Sequence, residues 1–258
     1  MSSCRSKDKD VVVGVSKEVF DAEDQVKIGN AISNSIQSNS QKFGVLNEMD
    51  YPELYFHLNT MIDQITNTST VQHREDFDWK ITILEDDDEV NAFIIPGGHL
   101  YVYTGLLRFF QGEHELVGAI AHEVAYADSD LLVNQLKNEF GSKKLSKVLS
   151  NDDSSDIIDE MAQSIKDMVY LESDVEKADS FCTDIICEFV WDGDGLLSIL
   201  KRGGTASAPI DWLQSKPVDN DRLVHLSNLI YDRGDSCGTP DSIFYQRYLD
   251  KVVDNLPQ

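Results

Sequence analysis

The chain has 258 residues, 41% of them hydrophobic, with 22 basic and 46 acidic side chains and a net charge of −24. That is enough apolar material for one domain with a genuine core. The acidic balance argues against nucleic acid, which needs a basic face, and against simple electrostatic docking on anionic membrane. No apolar run reaches the roughly 18 residues that mark a membrane-spanning helix.

Residues 1–15 read as a polar, flexible tail ahead of a single domain over 16–258. Met1-Ser2-Ser3-Cys4 lacks a charged-plus-apolar signal segment. It resembles the small-small-Cys end of a bacterial lipoprotein signal, which makes Cys4 a candidate lipid-anchored residue and the cell envelope or periplasm the expected location. The alternative is a polar N-terminus with an incidental cysteine. Residues 21–43 then predict a long helix with Val26, Ile28, Ile32 and Ile36 inward, and Pro52 opens a second helix to about residue 65. After a polar loop over 67–75, Trp79-Lys80-Ile81-Thr82-Ile83-Leu84 reads as a strand by its β-branched content.

Asn91-Ala92-Phe93-Ile94-Ile95 and His99-Leu100-Tyr101-Val102-Tyr103 flank Pro96-Gly97-Gly98, a tight turn, so a hairpin is predicted over 90–103. With the preceding strand it makes a sheet of about three strands. Thr104 is placed to cap the next helix. The remainder predicts helices over 105–111, 113–138, 142–149, 155–189, 194–202, 219–231 and 241–254. The fold class is therefore mainly helical α+β, with a short sheet beside the helix that carries His122 and Glu123.

The acidic runs Glu85-Asp86-Asp87-Asp88-Glu89 and Asp152-Asp153 read as solvated loops, with calcium binding as the alternative. Asp192-Gly193-Asp194-Gly195 lacks the rest of an EF-hand loop and reads as a turn between helices. Cys182 and Cys187 lie about 140° apart around a predicted helix, badly placed to pair with each other, and read as core residues. No C-x-x-C knuckle is present.

The stretch with most chemical content is His122-Glu123-Val124-Ala125-Tyr126. A zinc-protease helix reads H-E-x-x-H. Histidines at i and i+4 grip the metal from one face, and the glutamate is the general base. Here the second histidine is Tyr126, a poor zinc ligand near neutral pH because a phenol titrates near 10.

Hairpin, short helix and His-Glu helix together resemble the HtpX-like and CAAX-prenyl-protease-like zinc metallopeptidases, whose pattern is close to N-A-F-x-x-P-G-G-x-I-x-V-x-x-G-L-L followed by H-E-x-x-H. The similarity covers roughly residues 15–230 and implies a zincin-like fold. In that family a later E-x-x-A-D supplies the third zinc ligand, and S-T-H-P-x-x-x-x-R brings a further histidine to the active site. Here Ala178-Asp179 match, but the ligand position is Val175. Gln214-Ser215-Lys216-Pro217 carries Lys216 in place of the histidine, with Arg222 matching. His122 is the surviving ligand, too few for a catalytic zinc, which normally takes three protein ligands.

The resemblance thus implies a metallopeptidase scaffold without its metal: a pseudopeptidase with Glu123 as a vestigial general base, no cofactor, and a binding or scaffolding role. In such a fold a hairpin strand holds an extended peptide by β-augmentation, so Asn91, Gly98, Leu100, Tyr101 and Val102 are the candidate peptide groove, the alternative being a strand that is paired or covered. The expected partner is an extended peptide or another envelope protein. The alternative is an active zinc metalloendopeptidase with a rebuilt site using Asp128, Asp174 or Glu176. Without metal, Glu123 needs a new partner, which Lys216 and Tyr126 are placed to offer, the alternative being that Lys216 points to solvent.

Overall fold

The computed structural model describes residues 19–151, 154–188, 191–204, 210–216, 218–234, 237–238 and 242–258. Cys4 and the rest of the tail, and Asp152-Asp153, lie outside them. Helix α1 (Ala22–Ser38) starts at Asp21, whose carboxylate accepts from the Asp24 N–H while Asp24 returns the bond to the Asp21 N–H. It ends at Asn39, so the predicted helix over 21–43 divides into α1 and a single turn, α2 (Ser40–Phe43). Helix α3 (Pro52–Thr66) follows the Pro52 start signal.

Three strands form the sheet: β1 (Lys80–Leu84), β2 (Ala92–Ile95) and β3 (His99–Tyr103). Their order is β1-β3-β2, with β1 parallel and β2 antiparallel to β3. Gly97 and Gly98 sit at φ +82° and +92°, a region that side chains rarely adopt, so the hairpin turn requires glycine there. In this order the groove residues of β3 follow the paired-strand alternative and not the free-edge one. Leu100, Tyr101 and Val102 belong to the central strand, paired on both sides and buried, and offer no free edge. The outer side of β1 is closed too: the Ile81 N–H donates to Asn59 Oδ1 (3.1 Å), the Ile83 N–H to Tyr55 Oη (3.1 Å), and the Leu46 N–H to the Ile83 carbonyl (3.0 Å). Beside β2, Asn91 Nδ2 donates to the Lys166 carbonyl (3.2 Å), and the 3₁₀ turn Ile165–Asp167 packs on the strand.

Helix α4 (Thr104–Phe109) leads to α5 (Glu113–Asp128), the His122-Glu123 helix. Thr104 is not the cap of α4. Its hydroxyl accepts from the Asp86 N–H (3.1 Å) and ties down the acidic loop, whose Asp87 and Glu89 pair with Arg108 and Lys166. The predicted helix over 113–138 breaks after α5: Asp130 takes φ +58° and α6 (Leu131–Phe140) starts afresh. Asp128 turns away to accept from the Gln72 and His73 N–H groups (2.9 and 2.7 Å).

Helices α7 (Ser142–Ser150) and α8 (Ser155–Ser164) precede the turn at Ile165–Asp167. The expected helix over 155–189 is interrupted, because residues 168–170 have no helical structure and α9 (Glu172–Ile186) begins after them. Helices α10 (Gly195–Gly203), α11 (Asp211–Gln214), α12 (Asn220–Arg233) and α13 (Ser242–Lys251) follow, and then a 3₁₀ turn, Val253–Asn255. The core is built around α5, in which every residue but His114 is buried. Gly118 lets α10 close on α5: a Cβ there would lie 2.6 Å from the Leu196 nitrogen.

Cysteine usage differs from expectation at one position. Cys182 is a free core thiol, but Cys187 forms a disulfide with Cys237, 50 residues on. Only the fold brings these two together. Reduction, or Cys237→Ser, is expected to cost roughly 3–4 kcal/mol for a loop of that length. Urea denaturation with and without reductant measures it, and coincident curves would contradict it.

Candidate functional site

Helix α5 carries His122 and Glu123 against α9, both with no exposed surface. His122 Nε2 lies 3.0 Å from Asp179 Oδ1. The Asp179 carboxylate can only accept, so the network assigns the proton to Nε2, the nitrogen left without a lone pair for a metal. Asp179 also accepts from Arg222, Nε to Oδ2 and Nη2 to Oδ1, both 2.8 Å. Burial alone would raise this carboxyl, but the hydrogen bonds from Arg222 and His122 prevail and hold it at about 2. Burial lowers the pKa of His122, which keeps it neutral.

Glu123 Oε1 receives two donors: the Trp212 indole Nε1–H at 2.7 Å and the Lys216 ammonium at 2.9 Å. Lys216 is buried and also donates to Ser215 Oγ (3.1 Å). Burial lowers its pKa, and the Glu123 carboxylate works against that shift. Tyr126 packs its ring on His122 (5.2 Å) and on Tyr170 (4.1 Å). Its hydroxyl has no hydrogen-bond partner among the described residues, so it offers no replacement bond to Glu123 or His122. Burial raises the phenol pKa, so it stays protonated. Val175, on α9, is buried and supplies no donor atom.

The residues present do not fit a catalytic zinc. His122 Nε2 is bonded to Asp179, so this histidine has one lone pair left, on Nδ1; Tyr126 is a protonated phenol, and Val175 is apolar. Two fixed cations, the Lys216 ammonium and the Arg222 guanidinium, lie beside the carboxylates a metal would need. The rebuilt-site candidates are directed elsewhere: Asp128 to the backbone at 72–73, and Asp174 to Lys177 (2.8 Å), while Glu176 is exposed. Among the described residues no three His, Cys, Asp or Glu side chains come together.

Of the groove residues, Asn91 is buried with its carboxamide bonded to Lys166 and to the Ala92 N–H, Gly98 sits in the hairpin turn, and Tyr101 Oη donates to Ser33 Oγ (3.1 Å). They support the sheet and do not line an open cleft with Glu123. Two site residues escaped the sequence reading. Trp212 lies on α11, four residues before Lys216, which follows the end of that helix at Gln214. Tyr170 lay in a stretch read as helix, and its side chain reaches the site only because 168–170 is not helical.

A mainly helical α+β zincin-like scaffold, with its His-Glu helix buried against a small mixed sheet, defines a metallopeptidase-type fold. The sequence pattern of Peptidase family M48 matches residues 56–230, and the chain belongs to that family. It is similar to the mitochondrial metalloendopeptidase OMA1 of Arabidopsis thaliana, 36% identical over 23% of this chain and 12% of that one. It is also similar to the OMA1 metalloendopeptidase of Bos taurus, 36% identical over 20% of this chain and 10% of the other. A beta-barrel assembly-enhancing protease of Vibrio cholerae is 26% identical over 54% of this chain and 32% of its own length. The chain spans about a third or less of the length of these curated relatives.

Proposed function

We propose that this chain is a non-catalytic member of its family, a pseudopeptidase that acts by binding or scaffolding. The observation that carries the reading is the buried Lys216 ammonium 2.9 Å from Glu123 Oε1. A general base committed to a lysine and an indole has no metal-bound water to deprotonate. General-base catalysis alone contributes only about 10²–10⁴-fold. The relatives' names point to metalloendopeptidase activity, and the donor set around His122 opposes it here. The Cys187–Cys237 disulfide supports an oxidising compartment such as the cell envelope or periplasm, because disulfides are rare in reducing cytosol. The partner is a peptide or another envelope protein that engages a surface other than strand β3.

Elemental analysis after mild dialysis tests the reading: the expected zinc content is far below one per chain. Casein and unfolded-protein assays are expected to show no chelator-sensitive cleavage. One zinc per chain lost on His122→Ala, or cleavage abolished by Glu123→Gln, would restore the enzyme.

A further inference from the structure

We propose that the position beside Glu123 is an ammonium cage whose ligand, Lys216, is tethered in the same chain. This rests on the reading of the site as metal-free. The Lys216 nitrogen lies 5.0 Å from the Trp212 ring centroid, 5.2 Å from Tyr170 and 5.9 Å from Tyr126. All three fall within the roughly 6 Å over which an aromatic face attracts a cation. A carboxylate oxygen at 2.9 Å and the Ser215 hydroxyl at 3.1 Å accept its N–H groups. Glu123 Oε2 is buried with no hydrogen-bond partner among the described residues, so the carboxylate meets the ammonium through Oε1 alone.

The walls are themselves fixed. Trp212 is held by its bond to Glu123 Oε1, and the Tyr126 and Tyr170 rings pack against each other at a 38° tilt, their centroids 4.1 Å apart. Aromatic faces, one carboxylate and one hydroxyl suit a monovalent organic cation with N–H donors. They present none of the imidazole lone pairs that hold a transition metal. Position 126 still points to the same place on α5 that a second zinc histidine would, but it now contributes a ring face instead of a lone pair. Lys216 and Trp212 both bind Glu123 Oε1, so the tethered ammonium pins residues 210–216 onto α5. The ligand class is a primary ammonium, because the carboxylate and hydroxyl contacts need N–H donors that a quaternary amine lacks.

Lys216→Ala deletes a group with the shape of propylammonium. The variant is expected to melt roughly 10 °C below the unaltered protein. Propylammonium chloride at tens of millimolar, with ionic strength matched by sodium chloride, is expected to restore about half of that loss by binding the folded state. Equal concentrations of 1-propanol are expected to restore nothing. Recovery by 1-propanol to the same extent would mean an apolar void and would overturn the cage. A larger gain with zinc chloride than with propylammonium would overturn it as well. Zinc held by the unaltered protein would instead overturn the metal-free reading on which it rests. Should Lys216→Ala fail to fold, the unaltered protein decides by NMR. Ring currents from the three faces displace the Lys216 Cε protons upfield, and Cε protons at the ordinary lysine position would refute the cage.

Discussion

Lys216→Ala is expected to lower the unfolding free energy by roughly 3–5 kcal/mol at pH 7, the range for removing one partner of a buried ion pair. Glu123 has no exposed surface and would keep only the Trp212 N–H as a donor. The loss comes from the stranded carboxylate more than from the pair itself, since desolvation of both ions offsets much of their attraction. The double variant Lys216→Met with Glu123→Gln removes both charges at similar volume, and its amide oxygen still accepts from Trp212. It is therefore expected to recover most of the stability. Urea denaturation of the two variants measures the difference. A single variant within about 1 kcal/mol of the unaltered protein, or a double variant no better than the single, would show that the pair is not what satisfies Glu123.

Arg222→Met is expected to cost a similar roughly 3–5 kcal/mol, because it leaves the fully buried Asp179 with His122 alone. It also changes the acid limb of the stability curve. Asp179 titrates at about 2 in the folded protein against an ordinary 3.8, a carboxyl pKa that folding depresses. The unfolded chain therefore takes up a proton first as pH falls. The stabilisation is complete above about pH 4 and disappears between about 4 and 2, amounting to roughly 2 kcal/mol. In Arg222→Met this part of the acid loss is expected to shrink. Denaturation midpoints across that window read it, and an unchanged acid slope would mean that Arg222 does not hold the carboxylate ionised.

The two ion clusters share a feature. His122, Glu123 and Asp179 are polar groups that a metal centre would use, and each now has a protein cation or a hydrogen-bond donor beside it. Arg222 also donates to the Lys216 carbonyl (3.1 Å), which couples the Asp179 cluster to the segment bearing Lys216. Double-variant cycles between positions 216 and 222 would measure that coupling directly.

Residue identity alone determined the family scaffold, the three-stranded sheet, the hairpin turn at Pro96-Gly97-Gly98 and the tyrosine, valine and lysine that stand at 126, 175 and 216. Those readings rest on local chemistry: glycine at positive φ, β-branched runs, and side chains with or without a lone pair. Tertiary structure decided everything that depends on partners distant in sequence. Strand β3 is central because β1 pairs with it in parallel from across the hairpin, which no periodicity encodes. Helices break at Asp130 and at 168–170, where backbone and side-chain groups find partners elsewhere in the fold. Cys187 meets Cys237 only through the packing of α9 beside the end of α12. The position of Lys216 is the clearest case. Its direction follows from the cost of leaving Glu123 buried without a cation, a cost that exists only once α5 has been enclosed on every side.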